Sequence, residues 1–186
     1  MDIVKSSNLI PFLNLGSGGQ PITGAINVDY YADPGVDQVV DLNGPWPWAD
    51  NSVYRIFSSH CVEHLDDVIH FMREANRVLA VGGVMEIRVP YGWNTVGMCD
   101  PTHKRPFYLG TFTAFCLNTV SPVDARDLNL QQSHVRWNFG FEMECVEYKV
   151  RDWVKKLPFW KHYYLYLANV MLNVICEMRV HFRKVK

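Results

Sequence analysis

The stretch that most constrains this chain is Phe12-Leu13-Asn14-Leu15-Gly16-Ser17-Gly18-Gly19, a short apolar run that empties into three glycines and a serine. Phe12 to Leu15 reads as a buried strand. A backbone that leaves a strand and turns this sharply needs positive φ or close approach to another group, and glycine supplies both at least steric cost. A plain glycine turn between strands would satisfy the same composition. In an open α/β sheet, however, a bend at the carboxyl end of a strand is where ligands sit.

The chain that follows has the rhythm of such a sheet. Ala25 to Asp29 and Gln38 to Leu42 read as second and third strands, the first ending in Asp29 and the other carrying Asp41 at its end. Pro21 and Gly24 leave room for at most one helical turn between the bend and the second strand. Ser52 to Ser58 reads as a fourth strand. Asp66-Asp67 then opens a helix carrying Val68, Met72, Ala75 and Leu79 at helical spacing, which Gly82-Gly83 is expected to stop. Val84 to Val89 alternates as a fifth strand. Residues 91–109 read as loop, Thr111 as the cap of a short helix with Phe112, Phe115 and Cys116, and Phe141 to Val150 as a sixth strand. Residues 121–133 are polar and irregular. Trp160, Tyr164, Leu167, Met171 and Val174 follow helical spacing, and Glu177 to Lys184 alternates apolar with basic, as a last strand exposed on one face. Strands separated by acids and helices imply an α/β protein with a parallel sheet.

Length and charge narrow the function. A chain of 186 residues suits one domain, with 1–110 and 111–186 as its two halves. A net charge of −1 argues against binding nucleic acid by overall charge. The five cysteines are odd in number and form no C-x-x-C, as expected of reduced thiols in a cytoplasmic protein. The most apolar stretch, Tyr163 to Ile175, is too short to span a bilayer of ~20 residues and holds Asn169 and Asn173. The helix around it, with Arg179, Arg183, Lys184 and Lys186, can cover the sheet or meet an anionic membrane.

Dinucleotide cofactors are a poor match to the bend. Their G-x-G-x-x-G fingerprint opens a helix that holds a pyrophosphate. Here Gly16-Ser17-Gly18 matches the first half only, Pro21 stands where the last glycine belongs, and Asp29 arrives early for a ribose acid. S-adenosylmethionine carries no pyrophosphate and needs no such helix. It needs close backbone approach and carboxylates for its ribose hydroxyls and adenine amine, which Asp29 and Asp41 can supply, with Leu42 on the ring.

Leu13 to Gly18, Ile26 to Asp29, Asp41-Leu42, Trp46 to Tyr54, Ser58 to Leu65, and Arg77-Val78-Leu79 up to Gly82-Gly83 resemble successive motifs of class I S-adenosylmethionine-dependent methyltransferases, nearest the small bacterial and phage members of the methyltransferase type 11-like branch. The resemblance covers about residues 11–115. It implies a Rossmann-like, mostly parallel seven-stranded sheet with an antiparallel last strand and a shortened first helix. It places the methionine part over the bend of Gly16, Ser17 and Gly18, the ribose on Asp29, the adenine between Asp41 and Leu42, and Ser59 and His60 beside the cofactor. The pair Trp46 and Trp48 departs from the family's smaller residues. His60, Cys61, His64 and His70 are the rival zinc set, but they show no paired ligand motif, and no metal is expected.

The densest reactive cluster is Asp100-Pro101-Thr102-His103-Lys104-Arg105-Pro106-Phe107, after the fifth strand. His103 is the candidate base, Asp100 its orienting carboxylate, and Arg105 a fork for a substrate carboxylate or phosphate; the same residues can instead only brace the loop. Tyr91, Asn94 and Tyr108 are weaker candidates for lining the substrate pocket. The expected activity is methyl transfer to a small-molecule or glycan-type acceptor. The alternatives are transfer of another group from the same cofactor, and cofactor binding without turnover.

Overall fold

In a computed structural model of the chain, the described residues are 10–92, 94–117, 139–161 and 173–186. Strands β1 (Leu13–Leu15), β2 (Ile26–Asp29), β3 (Gln38–Val39), β4 (Val53–Ser59), β5 (Leu79–Pro90), β6 (Phe141–Val150) and β7 (Ile175–Lys184) form one sheet in the order β3-β2-β1-β4-β5-β7-β6. The first five are parallel, and β7 runs antiparallel to both neighbours. The same sheet therefore takes strands from residues 1–110 and from 111–186. Parallel pairing sends the carboxyl ends of β1, β2, β3 and β4 to one edge, where Gly16, Asp29 and His60 follow or end their strands.

No helix lies between β1 and β2, as the short gap implied. The buried asparagines Asn14 and Asn27 order that segment instead. Asn14 Nδ2 donates to Asn27 Oδ1 at 2.9 Å, and the same oxygen accepts from Ile22 N at 2.7 Å. A buried polar pair is tolerated because its groups are hydrogen-bonded.

Helix α1 (Val68–Val78) is capped by Asp67, whose Oδ1 accepts from the Ile69 and His70 amides at 2.8 and 3.0 Å. It lays Phe71, Met72, Ala75 and Val78, all fully buried, over the sheet. It ends at Val78, four residues before Gly82-Gly83. Leu79 already belongs to β5, and the glycines lie in a bulge: Val53 pairs with Leu79, but Arg55 pairs with Val84. The positive φ of Gly82 (+84°) turns that bulge rather than a helix end.

The other departures are local. β3 stops at Val39, so Asp41 and Leu42 lie beyond the strand. Residues expected to be loop include α2 (Thr95–Cys99), capped by Asn94 Oδ1 on Gly97 N at 2.9 Å. Thr111 does not cap α3 (Leu109–Thr113); Tyr108 does, and Thr111 Oγ1 accepts the Tyr108 amide at 3.3 Å. A short α4 (Asp152–Lys155) follows β6. β7 lies between β5 and β6, and its faces alternate as expected: Val180 and Phe182 are fully buried, while Arg179 and Arg183 on the other face are partly exposed. Arg179 pairs with Glu177 and Glu147, Arg183 with Glu144, and Lys184 is only 6% exposed. The expected free basic face is therefore neutralised. Most of the expected helix of residues 160–175, and the irregular stretch 121–133, lie outside the described residues. Among the described residues, no helix is long and apolar enough to cross a membrane.

Candidate functional site

The glycine bend is built by β2. The amides of Gly16 and Ser17 both donate to Val28 O, at 2.8 and 2.9 Å. Gly16 has φ +70°, and a Cβ there would overlap Cys61 Cβ and Sγ, so the position has no room for a side chain. Gly18, at φ +48°, has open space where its Cβ would be. Its amide donates to Asp29 Oδ2 at 2.7 Å, while Asp29 Oδ1 accepts from Tyr31 N at 3.2 Å. The Asp29 carboxylate thus faces the bend. With about four lone-pair sites on a carboxylate, roughly two remain for a ligand.

A cleft of about 520 Å³ opens over this bend, lined by Gly16, Gly18, Asp29, Asp41, Leu42 and His60 among others. That falls within the usual ~300–1,000 Å³ of small-molecule sites. Asp41 Oδ1 accepts from the backbone and side-chain nitrogens of Asn43, at 2.9 and 3.2 Å, which fixes the turn. Tyr30 and Tyr31, exposed and packed edge to face at 5.0 Å, also line the cleft; their run beside Asp29 was the only sequence signal for them. Ser17 does not line it: its Oγ is buried without a hydrogen-bond partner. Ser59, paired in β4 with Arg88, does not line it either.

Trp46 and Trp48 are buried away from the cleft. Trp46 packs edge-on against Phe71 at 5.3 Å, and the loop is strapped to α1 by Arg77, which donates to the Trp46 and Trp48 carbonyls at 3.1 and 2.8 Å.

His60 leaves β4 with φ +53°. Its Nδ1 meets Glu63 Oε1 and its Nε2 meets Glu177 Oε2, each at 3.2 Å. The hydrogen bond to Glu63, aided by Glu177 and opposed by partial burial, raises the His60 pKa and favours the imidazolium. Glu177 is raised by burial, but Arg179 and His60 outweigh this and lower its pKa. Burial pushes the Cys61 thiol up to about 12, and His70 Nε2 bonds Gly44 O at 2.8 Å. The fold does not gather His60, Cys61, His64 and His70 as a ligand set.

A second cleft, of about 280 Å³, is lined by Glu63, Met98, Asp100, His103, Lys104 and Arg105 among others. Lys104 borders both clefts. His103 Nδ1 lies 2.8 Å from Gly97 O. A carbonyl only accepts, so Nδ1 carries the proton and the lone pair of the neutral ring lies on Nε2. That Nε2 is 3.8 Å from Asp100 Oδ2 and 4.0 Å from Glu63 Oε1. Asp100 is bound instead to Thr102: Oδ1 accepts from its hydroxyl at 2.6 Å and its amide at 2.8 Å, which lowers the Asp100 pKa. Arg105 donates through Nη2 to Asp66 O at 2.6 Å, so part of its fork braces the segment before α1. Asn94, besides capping α2, donates to Tyr91 O and Cys176 O, and Tyr91 packs on Tyr108 and Tyr148; none of these three expected pocket residues, Tyr91, Asn94 and Tyr108, lines either cleft. Glu63, 1% exposed, joins the two histidines His60 and His103 and was missed as a site residue.

Residues 29–87 match the family model described as "Methyltransferase domain". The match runs from Asp29 into β5, ending at Ile87, and leaves the glycine bend outside it. No curated protein matches in sequence. Among solved structures, a SAM dependent methyltransferase from Archaeoglobus fulgidus is 16% identical, over 95% of this chain and 86% of its own, with TM-score 0.64. An S-adenosylmethionine dependent methyltransferase from Mesorhizobium loti is 16% identical, over 95% of this chain and 91% of its own, with TM-score 0.53. The [4+2]-cyclase SpnF is 15% identical, over 95% of this chain and 76% of its own, with TM-score 0.56. At such identities the likeness is one of fold.

Proposed function

On a chain with the class I methyltransferase fold, whose residues 29–87 match the methyltransferase-domain family, we propose that the cleft over the glycine bend binds S-adenosylmethionine and that the protein methylates a small-molecule or glycan-type acceptor. One observation carries the reading: the Asp29 carboxylate is anchored on the Gly18 amide at 2.7 Å beside a bend with open space above it. The residues present suit this cofactor. Gly16 and Gly18 allow backbone approach, Asp29 keeps acceptor capacity for ribose hydroxyls, Asp41 keeps one oxygen outside its turn bonds for the adenine amine, and Leu42 offers an apolar face. No helix lies between β1 and β2 to offer its N-terminus to a pyrophosphate.

When bound, the cofactor supplies an activated methyl group on a sulfonium. The protein's share is alignment and proton handling. We assign acceptor activation to His103, whose Nε2 borders the second cleft with its Nδ1 held by Gly97 O. Asp100 orients the loop through Thr102, and Lys104 joins the two clefts. Arg105 retains nitrogens not used on Asp66 for an acceptor anion. The free cysteines suit a cytoplasmic site of action.

Calorimetry with S-adenosylmethionine and its demethylated product tests the reading. Both should bind the wild type, and Asp29→Ala should weaken them at least tenfold, since a hydrogen bond to a charged group contributes about 1.5–3 kcal/mol. Absence of binding to either ligand refutes it. The [4+2]-cyclase shares the fold but is named for another chemistry, so product mass is the second assay. Gain of one methylene unit on the acceptor separates methyl transfer from transfer of a larger group and from binding without turnover.

A further inference from the structure

We propose that Glu63, His64 and His103 form a site for one divalent cation of the borderline class typified by Zn²⁺, at the seam between the cofactor cleft and the acceptor cleft. The inference rests on the methyltransferase reading and replaces one part of it: with the ion bound, His103 Nε2 is a ligand rather than a free base, and the ion itself polarises the donor atom of the acceptor.

One potential ligand atom of each residue lies within 4.8 Å of the others. His64 lines the first cleft, and Glu63 and His103 line the second. The two histidines come from segments far apart in sequence and meet edge to face at 4.7 Å. Each has its Nδ1 committed outward. His103 Nδ1–H donates to Gly97 O at 2.8 Å. His64 Nδ1 lies 2.8 Å from Thr102 Oγ1, whose single proton already goes to Asp100 Oδ1 at 2.6 Å, so the imidazole is the donor there too. Both rings therefore keep Nε2 as the lone-pair nitrogen. This is the outer support that metal-bound histidines have: a carbonyl behind one, a hydroxyl backed by a carboxylate behind the other.

Glu63 adds an independent observation. Its side chain is 1% exposed, and Oε2 is buried with no hydrogen-bond partner. A buried carboxylate oxygen without a donor is costly. A cation bound to both carboxylate oxygens would satisfy it; Oε1, the oxygen nearer His103 Nε2 at 4.0 Å, also takes His60 Nδ1 at 3.2 Å. Two imidazoles and one carboxylate favour Zn²⁺, Co²⁺ or similar ions over Mg²⁺ and Ca²⁺, which take oxygen donors. Three protein ligands leave coordination open toward the acceptor cleft, so the ligand class expected there is an acceptor with an oxygen or nitrogen donor beside the atom to be methylated.

The test is titration of the chelator-stripped full chain with Zn²⁺ and with Co²⁺, reading stoichiometry, affinity and the visible Co²⁺ absorption. One ion per chain is expected. His64→Ala and His103→Ala should each weaken binding at least a hundredfold and abolish the Co²⁺ spectrum. Thr102→Val, which removes the hydroxyl behind His64 together with its bond to Asp100, should weaken it ten- to a hundredfold. A thermal melt of each variant reports that it is folded, and binding of the demethylated cofactor is measured beside it, since His64 and Thr102 line that cleft. That binding also reads the methyltransferase proposal separately, since metal can fail where cofactor binds, and the reverse. No stoichiometric binding to the wild type overturns the site. So does wild-type affinity in His64→Ala and His103→Ala, or loss of binding on Cys61→Ser or His70→Ala instead.

Discussion

The clasp made by Arg77 gives the sharpest test of how this fold holds its cleft. The guanidinium donates Nε to Glu74 Oε1 at 2.9 Å and Nη2 to Glu74 Oε2 at 2.8 Å. It also takes the Trp46 and Trp48 carbonyls and Asp50 Oδ1, the last at 2.7 Å. Glu74 in turn accepts the Trp46 amide at 2.8 Å, and Trp46 Nε1 donates to the carbonyl of the cleft residue Leu42 at 3.2 Å. Arg77→Met strands Glu74, whose side chain is 11% exposed. Breaking a buried pair from one side costs about 3–5 kcal/mol. Here Arg77 is 29% exposed and Glu74 keeps the Trp46 amide, so the low end applies; the Asp50 arm, with Asp50 71% exposed, adds almost nothing. The expected loss is about 3 kcal/mol, or roughly 6–12 °C in melting temperature at about 2–4 °C per kcal/mol for a chain this size. Arg77→Lys keeps the charge without the fork and should fall between. Glu74→Leu combined with Arg77→Met should cost less than the sum of the singles.

The same clasp carries a pH signature. The hydrogen bonds from Arg77 hold the Glu74 carboxyl below its usual pKa, against partial burial. A carboxyl depressed on folding contributes stability above its unfolded pKa of about 4.3 and loses it as pH falls through the folded value. Arg77, raised further by Glu74 and Asp50, stays charged throughout. The melting gap between wild type and Arg77→Met should therefore be full near neutrality and close below about pH 4. Thermal melts across pH read it directly. A drop under 2 °C at neutral pH, strict additivity in the double variant, or a gap that widens in acid would refute the reasoning.

Three further outcomes follow from single positions. Gly16→Ala meets Cys61 at positive φ and should cost about 3 kcal/mol or more, while Gly18→Ala, with open space around it, should cost about 1 kcal/mol yet weaken cofactor binding about tenfold; melts and calorimetry on the pair separate fold from ligand. Lys184 Nζ donates to Asn76 O at 2.6 Å and Leu79 O at 2.8 Å, closing the end of α1, and Lys184→Met should destabilise by about 2 kcal/mol in denaturant titration. Native alkylation at mildly alkaline pH should modify the exposed Cys99 and Cys145 first and spare Cys61 and Cys116, whose thiols burial pushes up to about 12, as peptide mass mapping would show.

What the sequence discloses and what it hides divide along one physical line. The glycine bend, Asp29 and the missing first helix are legible because each is settled within about fifteen residues: a strand must end, Pro21 and Gly24 leave room for at most one helical turn, and parallel pairing then carries strand ends to a common edge. Gly82-Gly83 misleads at the same local range, since a glycine pair suits a bulge as well as a helix stop, and only the pairing of β5 with β4 decides. The partners of reactive groups are a different matter. His60 finds Glu177 across 117 residues, and Lys184 reaches Asn76 across 108. No spacing rule encodes such meetings. They exist because β7 is inserted beside β5, and the alternation that made Glu177 to Lys184 look exposed on one basic face is the pattern that places Arg179 and Arg183 against Glu147 and Glu144 of β6. Glu63 is hidden for the same reason: beside His64 it reads as part of a polar loop, and its buried, half-satisfied carboxylate becomes visible only when the loop after β5 brings His103 onto it. In this fold the edge at the glycine bend is written in local sequence, whereas the surroundings of the second cleft are written in the order of the strands. A search for the acceptor should therefore start from the loop holding Asp100 to Arg105 and its contacts with Glu63 and His64.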